Sequence, residues 1–181
     1  MNRSSNTPTV RSVSAKQAKK DLLLTLLRES VRMCYKKDYS LIRRKSMEQS
    51  SVARIYYYMQ KALEQDPRFE SLSTYKLDSE YNKNGEAHKM VDGVEGYTRP
   101  DIILHHREDT PCKDNILIIE FKAFNNYKYK RDIQKLESFT DPQYAYHYFL
   151  GVLVKLKKNE IKYTCFQNGH PCGLEDSWAL E

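Results

Sequence analysis

Residues 99–104 read Arg-Pro-Asp-Ile-Ile-Leu, and residues 115–122 read Asn-Ile-Leu-Ile-Ile-Glu-Phe-Lys. Both segments contain short apolar runs rich in isoleucine, which is typical of buried strands. Because side chains on a strand alternate between its two faces, we expect Glu120 and Lys122 to point to the same side. Asp101, at the start of the first segment, then completes a cluster of two carboxylates and one amine.

Such a cluster has the chemistry of metal-assisted hydrolysis. Two carboxylates that converge where strands end can bind a hard divalent cation such as Mg²⁺ or Mn²⁺. A neighbouring ammonium can orient a water molecule and stabilise the charge that develops on a phosphate. We therefore predict that Asp101 and Glu120 are metal ligands and that Lys122 is a catalytic residue in phosphodiester hydrolysis.

A helix upstream is predicted to add a third carboxylate. Residues 46–66 have the spacing of an amphipathic helix, with Val52, Ile55 and Met59 on its apolar face. Glu48 lies on the same stripe, and a carboxylate aimed at a core is costly unless it meets a partner or a metal. We predict a catalytic, metal-holding role for Glu48. The alternative is an ordinary first-turn acid that favours the helix dipole.

The next segment predicts a strand followed by a hairpin turn. Residues 74–82 alternate in polarity and end in Asp-Ser-Glu-Tyr-Asn, and residues 83–86 read Lys-Asn-Gly-Glu. Alternation places Asp78, Glu80 and Asn82 on one face. Glu80 is therefore a candidate for a further metal ligand or an orienting residue.

In this order, the segments resemble the signature of the PD-(D/E)xK nuclease superfamily, in particular its small bacterial and phage-like members. The resemblance covers roughly residues 46–156. The matching residues, in chain order, are Arg54 within the helix, Glu80-Tyr81-Asn82, Arg99-Pro100-Asp101, Glu120-Phe121-Lys122 and Asp132-Ile133-Gln134-Lys135-Leu136.

The resemblance implies a restriction-endonuclease-like core of the α/β (α+β) class. Its central mixed β-sheet is flanked by helices in the order helix, three strands, helix, strand, here with an extra N-terminal helix. It also implies a nuclease dependent on Mg²⁺ or Mn²⁺, with DNA favoured over RNA. The alternative is a catalytically inactive nucleic-acid-binding or assembly module on the same fold.

Charge agrees with a nucleic-acid partner. The chain carries a formal net charge of +6 at pH 7, which favours polyanions. Lys128, Lys130 and Arg131 alternate with tyrosines, and we predict that they and Lys135 contact nucleic acid. A solvated helix start is the alternative for the basic run. For Asp132 and Lys135, the alternative to a role beside the site is a mutual ion pair within the helix.

The 181 residues suit one folded domain. We predict a disordered basic tail over residues 1–15, a domain over 16–168 and a C-terminal tail over 169–181. Within the domain, the pattern predicts a helix over 16–35 and strands over 144–155 and 160–166. Without an apolar stretch long enough to cross a bilayer, we expect a soluble, cytoplasmic protein with no membrane partner. Cutting both strands of a duplex usually takes two sites, so we also expect a homodimer.

Overall fold

The computed structural model of this chain describes residues 10–43, 48–80, 83–84, 87–88, 98–107, 115–123, 129–144, 146–173 and 176–179. Its helices are α1 (Val10–Arg43), α2 (Glu48–Gln65), α3 (Lys130–Thr140) and a 3-10 helix (Pro67–Leu72). Its strands are β1 (Lys76–Ser79), β2 (Lys83–Asn84), β3 (Ala87–His88), β4 (Ile102–His105), β5 (Leu117–Ala123), β6 (Leu150–Leu156), β7 (Glu160–Gln167), β8 (His170–Pro171) and β9 (Asp176–Ala179).

Seven of the described strands form one open mixed sheet. Their order is β1-β4-β5-β6-β7-β8, and β9 also pairs with β7. Strand β5 is antiparallel to β4 and parallel to β6. Parallel neighbours need a long crossover, which here contains α3. Strands β2 and β3 pair separately, where the sequence predicted a hairpin. The predicted class, α+β with a mixed sheet, is confirmed.

Helices cover both faces of the sheet because its central strands are apolar on both faces. On one face, Ile119 and Phe121 of β5 pack in a core with residues of α1 and α2. On the other face, Ile118 of β5 packs with Leu136 and Phe139 of α3. The alternation of these β5 residues is the period of two that a strand imposes. Residues on only one face of β5 therefore pack against α3.

Helix α1 is longer than the sequence predicted. It begins at Val10, inside the segment 1–15 that was predicted to be a disordered tail, whereas residues 1–9 lie outside the described residues. It also continues past Tyr35 to Arg43, with a kink at Asp38 (φ −122°, ψ 25°). The Asp38 carboxylate accepts a hydrogen bond of 2.5 Å from the Tyr58 hydroxyl of α2. Contacts with α2 thus fix the kinked turn, which local sequence does not specify.

Two predictions near the C-terminus are corrected. The segment 169–181, predicted to be a tail, contributes β8 and β9, and both pair with β7. Asn168 (φ 52°) and Gly169 (φ 79°) supply the left-handed conformations that the tight turn before β8 needs. The strand predicted over 144–155 begins only at Leu150. Before it, Tyr146 packs edge-on against Phe139 of α3, with ring centroids 4.6 Å apart.

Two further observations concern membrane spans and disulfide bonds. Within the described residues, no helix combines the length and the apolar character that crossing a bilayer requires. Cys34, Cys165 and Cys172, the cysteines that the structure describes, form no disulfide bond.

Candidate active site

Strand β5 brings Glu120 and Lys122 to the face covered by α3. The strand alternates as predicted, since Phe121 packs in the opposite core while Glu120 contacts Lys135 of α3. Glu120 is only 1% exposed, and Lys122 is half-buried near the end of the strand. Both side chains therefore lie largely out of water, where electrostatic interactions are strong.

Asp101 immediately precedes β4, and the backbone of β5 holds it in place. Its Oδ2 accepts a hydrogen bond of 2.7 Å from the backbone N–H of Phe121. Ile102 of β4 lies opposite Ile119 of β5, so the register carries Asp101 next to Glu120. Burial raises the pKa of Asp101 to about 6, although the Phe121 N–H and the Lys122 ammonium oppose the shift.

Glu120 is a deeply buried carboxyl group beside this aspartate. Burial, reinforced by the negative charge of Asp101, raises the pKa of Glu120 to about 8, and the Lys135 ammonium opposes this. Nζ of Lys135 lies 3.1 Å from Oε1 of Glu120. Neighbouring acids with strongly perturbed pKa values are more frequent in functional sites than elsewhere.

Helix α3 supplies two further charged residues. Asp132 lies in its first turn and is 5% exposed. Its Oδ2 is 3.2 Å from Nζ of Lys122, and its Oδ1 is 3.6 Å from Nζ of Lys135. The i, i+3 spacing directs both helix residues to one face. The mutual ion pair considered from the sequence is therefore present, together with contacts from both residues to β5.

Lys122 is held as a cation by these neighbours. Burial by itself would lower the pKa of Lys122, but the carboxylates of Asp132 and Glu48 outweigh it and raise the pKa above the ordinary value. Oε1 of Glu48 lies 3.6 Å from Nζ of Lys122. The ammonium therefore stays charged in a partly dehydrated position.

Glu48 joins the start of α2 to the end of β5. It is the first residue of the helix, and its Oε2 accepts a hydrogen bond of 2.6 Å from the backbone N–H of Ala123. The apolar stripe of α2 packs on the sheet through Val52, Ile55 and Met59, as predicted. The structure thus brings Glu48 beside Lys122, and its role in holding a metal stays a prediction.

A cleft of about 300 Å³ opens next to these residues. Glu80 reaches it from a position that strand alternation did not predict, because β1 ends at Ser79 and Glu80 adopts a left-handed φ of 50°. Its Oε1 accepts a hydrogen bond of 3.2 Å from Nε2 of Gln49. The residues lining the cleft are Glu48, Gln49, Val52, Ala53, Ser79, Glu80 and Asp101.

Asp78 is not among the residues that line this cleft. It is buried, and its Oδ2 lies 2.8 Å from Nε2 of His105. Arg107 also binds both of its oxygens. Burial would raise the pKa of Asp78, but the hydrogen bonds from Arg107 and His105 lower it below the ordinary value. The prediction that Asp78 and Glu80 lie on one strand face is wrong, because the strand ends between them. Asn82 lies outside the described residues.

The predicted nucleic-acid contacts fall in different places. Lys130 and Arg131 are exposed at the start of α3. Lys135 is half-buried and bound to Glu120 and Asp132 at the base of the site. Lys128 lies outside the described residues.

The donor chemistry of the site suits a hard divalent cation. Glu48, Asp101 and Glu120 offer carboxylate oxygens, which Mg²⁺ and Mn²⁺ prefer. In the part of the chain that the structure describes, however, no three histidine, cysteine or acidic side chains are close enough together to hold a metal ion. The ammonium groups of Lys122 and Lys135 contact the carboxylates instead. A metal at Glu120 would have to compete with Lys135.

Comparisons with known proteins add no assignment. The chain matches no protein-family model, no curated protein and no solved structure. Fold and geometry define an α+β protein with a largely buried cluster of acids and lysines between the sheet and α3. The functional interpretation therefore rests on these residues.

Proposed function

We propose that this protein is a metal-dependent nuclease that hydrolyses phosphodiester bonds, with DNA favoured over RNA as substrate. The observation that carries the proposal is the convergence of Asp101, just before β4, with Glu120 and Lys122 of β5, with Glu120 buried and its pKa raised. Burying two carboxyl groups side by side is unfavourable, so such a pair needs a compensating role. Binding a divalent cation provides one.

In the proposed mechanism, Asp101 and Glu120 would hold Mg²⁺ or Mn²⁺, with Glu48 and Glu80 as further oxygen donors at the cleft. The metal, when bound, would supply Lewis-acid catalysis and lower the pKa of an attacking water. Lys122, charged and oriented by Asp132, would position the water and stabilise negative charge on the phosphate in the transition state.

The order of elements supports the resemblance on which the proposal draws. Along the chain, α2, β1, β4, β5, α3 and β6 give helix, three strands of the large sheet, helix and strand. This is the order of the restriction-endonuclease-like core, and α1 is then the extra N-terminal helix. Nucleic acid as partner and a homodimer that cuts both strands of a duplex belong to the same proposal.

One observation favours a second function, a catalytically inactive nucleic-acid-binding module. Lys135 already contacts Glu120, and Lys122 contacts both Asp132 and Glu48, so each of these acids has a basic partner without a metal. Calorimetric titration with Mg²⁺ and Mn²⁺ separates the two functions. A nuclease binds the ion, and Glu120→Gln weakens the binding. An inactive module gives no heat of binding in either protein.

The direct test is a cleavage panel. Purified protein is incubated with labelled duplex DNA, single-stranded DNA and RNA, each in Mg²⁺, Mn²⁺ or EDTA. We expect metal-dependent cleavage of at least the duplex DNA and none in EDTA. Nucleic-acid binding without cleavage in any metal would reject the nuclease and favour the inactive module. Cleavage of RNA alone would overturn the preference for DNA.

A further inference from the structure

Three lysines lie side by side across three neighbouring strands. The parallel register of β5 and β6 places Lys122 opposite Lys155, and the antiparallel register of β6 and β7 places Lys155 opposite Lys162. Neighbouring strands are about 4.8 Å apart. This lysine row (Lys122, Lys155 and Lys162) therefore runs across the strands, away from the candidate active site.

The whole row lies on the face that α3 covers. Lys122 shares this face with Glu120, and Lys155 is two residues beyond Leu153, which packs in the core under α3. Phe166 of β7 is in the same core, and alternation places Lys162 on its side of the strand. The row begins beside the N-terminal end of α3, since Lys122 contacts Asp132 in the first turn of that helix.

Such a row is electrostatically unfavourable without counter-charge, because like charges directly opposite across strands destabilise a sheet. Lys155 makes no ion pair with any residue that the structure describes. Its ammonium instead lies 3.6 Å from the centre of the Tyr129 ring. Lys162 contacts Glu160 at 3.5 Å, but Glu160 also binds Lys157 at 2.9 Å. One carboxylate therefore serves two lysines, and the row retains positive charge beyond Lys122.

Other basic residues extend this surface. Tyr129, which carries the Lys155 ammonium on its ring, directly precedes the exposed Lys130 and Arg131 of α3. Basic side chains thus lie on this side of the sheet from Lys122 of β5 to Lys162 of β7, with Lys130 and Arg131 at the start of the covering helix. Phosphate groups bind such surfaces through charge and independently of base sequence.

We infer that Lys155 and Lys162 form the track on which the sugar-phosphate backbone of a nucleic-acid strand lies as it leaves the site. The identity of the ligand rests on the proposed function, but the track is tested without cleavage. Each lysine that neutralises a phosphate adds to the salt dependence of binding. The slope of log affinity against log salt concentration, here called the salt slope, reflects the number of phosphate contacts. Its decrease in a variant therefore measures the contacts that the variant loses.

The experiment measures the affinity of the full chain for labelled duplex DNA, single-stranded DNA and RNA by fluorescence anisotropy, in EDTA, over a series of salt concentrations. Wild type is compared with Lys155→Gln, Lys162→Gln and the double variant. Lys61→Gln is the matched control. Lys61 is an exposed lysine of α2, about 20 Å along that helix from Glu48, and α2 covers the other sheet face.

We expect each substitution in the row to reduce the steepness of the log–log salt slope by about 0.9 for duplex DNA or about 0.7 for a single strand. Lys61→Gln leaves the slope unchanged. Lys155→Arg restores it, which separates the charge of Lys155 from its packing on Tyr129. Thermal unfolding of every variant checks that the fold is retained.

An unchanged slope in the double variant overturns the track, and so does an equal loss in Lys61→Gln. The two proposals fail in different ways. If wild type cuts nucleic acid but the double variant keeps the wild-type salt slope, the protein is a nuclease without this track. If the variants lose salt slope as expected but wild type never cuts, the protein has the track and is not a nuclease. Absence of binding to all three nucleic acids overturns both.

Discussion

Nζ of Lys122 lies 3.2 Å from Oδ2 of Asp132, and this contact joins the end of β5 to the first turn of α3. Asp132 is buried and also contacts Lys135, which in turn contacts Glu120. Helix α3 is part of the crossover between the parallel strands β5 and β6. This connection places Asp132, in the first turn of α3, next to Lys122 near the end of β5. The proposed catalytic ammonium is thus oriented by an acid that is not one of the proposed metal ligands.

Asp132→Asn keeps the shape of the side chain and removes the charge that holds Lys122. We expect cleavage to fall by about 10- to 100-fold, as for other residues that orient an active-site group. Because Asp132 raises the pKa of Lys122, the alkaline limb of the pH–rate profile should move to lower pH. Glu137→Gln removes another acid from α3 and is the control. A profile that falls in height without moving would mean a merely structural role.

Lys122→Met retains the length of the side chain without its charge. Removing one group that stabilises transition-state charge typically costs about 10²- to 10³-fold in kcat, and we expect a loss in that range. Metal affinity, measured by calorimetry, should not fall, since Lys122 is not a ligand. The comparison is with Lys158→Gln, an exposed lysine next to β7. If Lys122→Met cleaved at the wild-type rate, Lys122 would have no role in the mechanism.

The stability of the metal-free protein should fall as pH rises. Burial raises the pKa of Glu120 from 4.5 to about 8, so between these pH values the folded protein binds a proton that the unfolded chain has released. The free energy of unfolding then decreases with pH across that window. Asp78, whose pKa is lowered, has the opposite effect but only at more acidic pH.

Urea denaturation at pH 5, 6, 7 and 8 measures this effect, and Glu120→Gln isolates it. The variant carries no titrating group at position 120, so its stability should decline less with pH than that of wild type. If the free energy of unfolding changes with pH in the same way for both proteins across this range, the pKa of Glu120 is not raised.

Metal binding should strengthen over the same range. The ion requires ionised Asp101 and Glu120, whose pKa values burial raises to about 6 and about 8. Binding therefore releases protons and becomes tighter from pH 6 to pH 8. The increase in Tm on adding Mg²⁺ should be larger at pH 8 than at pH 6. A shift of equal size at both values, or one retained in Glu120→Gln, would place the ion elsewhere.

Much of the site was predictable from periodicity. A strand alternates with a period of two whatever its surroundings, so the shared face of Glu120 and Lys122 followed from the sequence. Helical spacing likewise directed Glu48 to the sheet. The motif spacing of Asp132 and Lys135 placed both residues on one helix face. It did not predict which face of the helix packs on β5. That depends on the burial of Leu136 in the tertiary core.

Features that depend on register or on an unusual backbone were not predictable. The lysine row exists because three strands pair in one alignment, and a shift of one residue would move Lys155 to the other face. The partner of Asp78, His105, comes from the neighbouring strand. Glu80 reaches the cleft through a left-handed conformation that residues other than glycine rarely adopt. None of these has a signal in local sequence.

The most direct measurement is single-turnover cleavage of labelled duplex DNA by wild type and Glu120→Gln, side by side in Mn²⁺ and in EDTA. Wild type should cut in Mn²⁺ and stop in EDTA. Glu120→Gln should be slower by more than about a hundredfold, because metal stabilisation of the transition state is worth several kcal/mol. Equal metal-dependent cleavage by the two proteins would contradict the assignment of Glu120 and the site built around it.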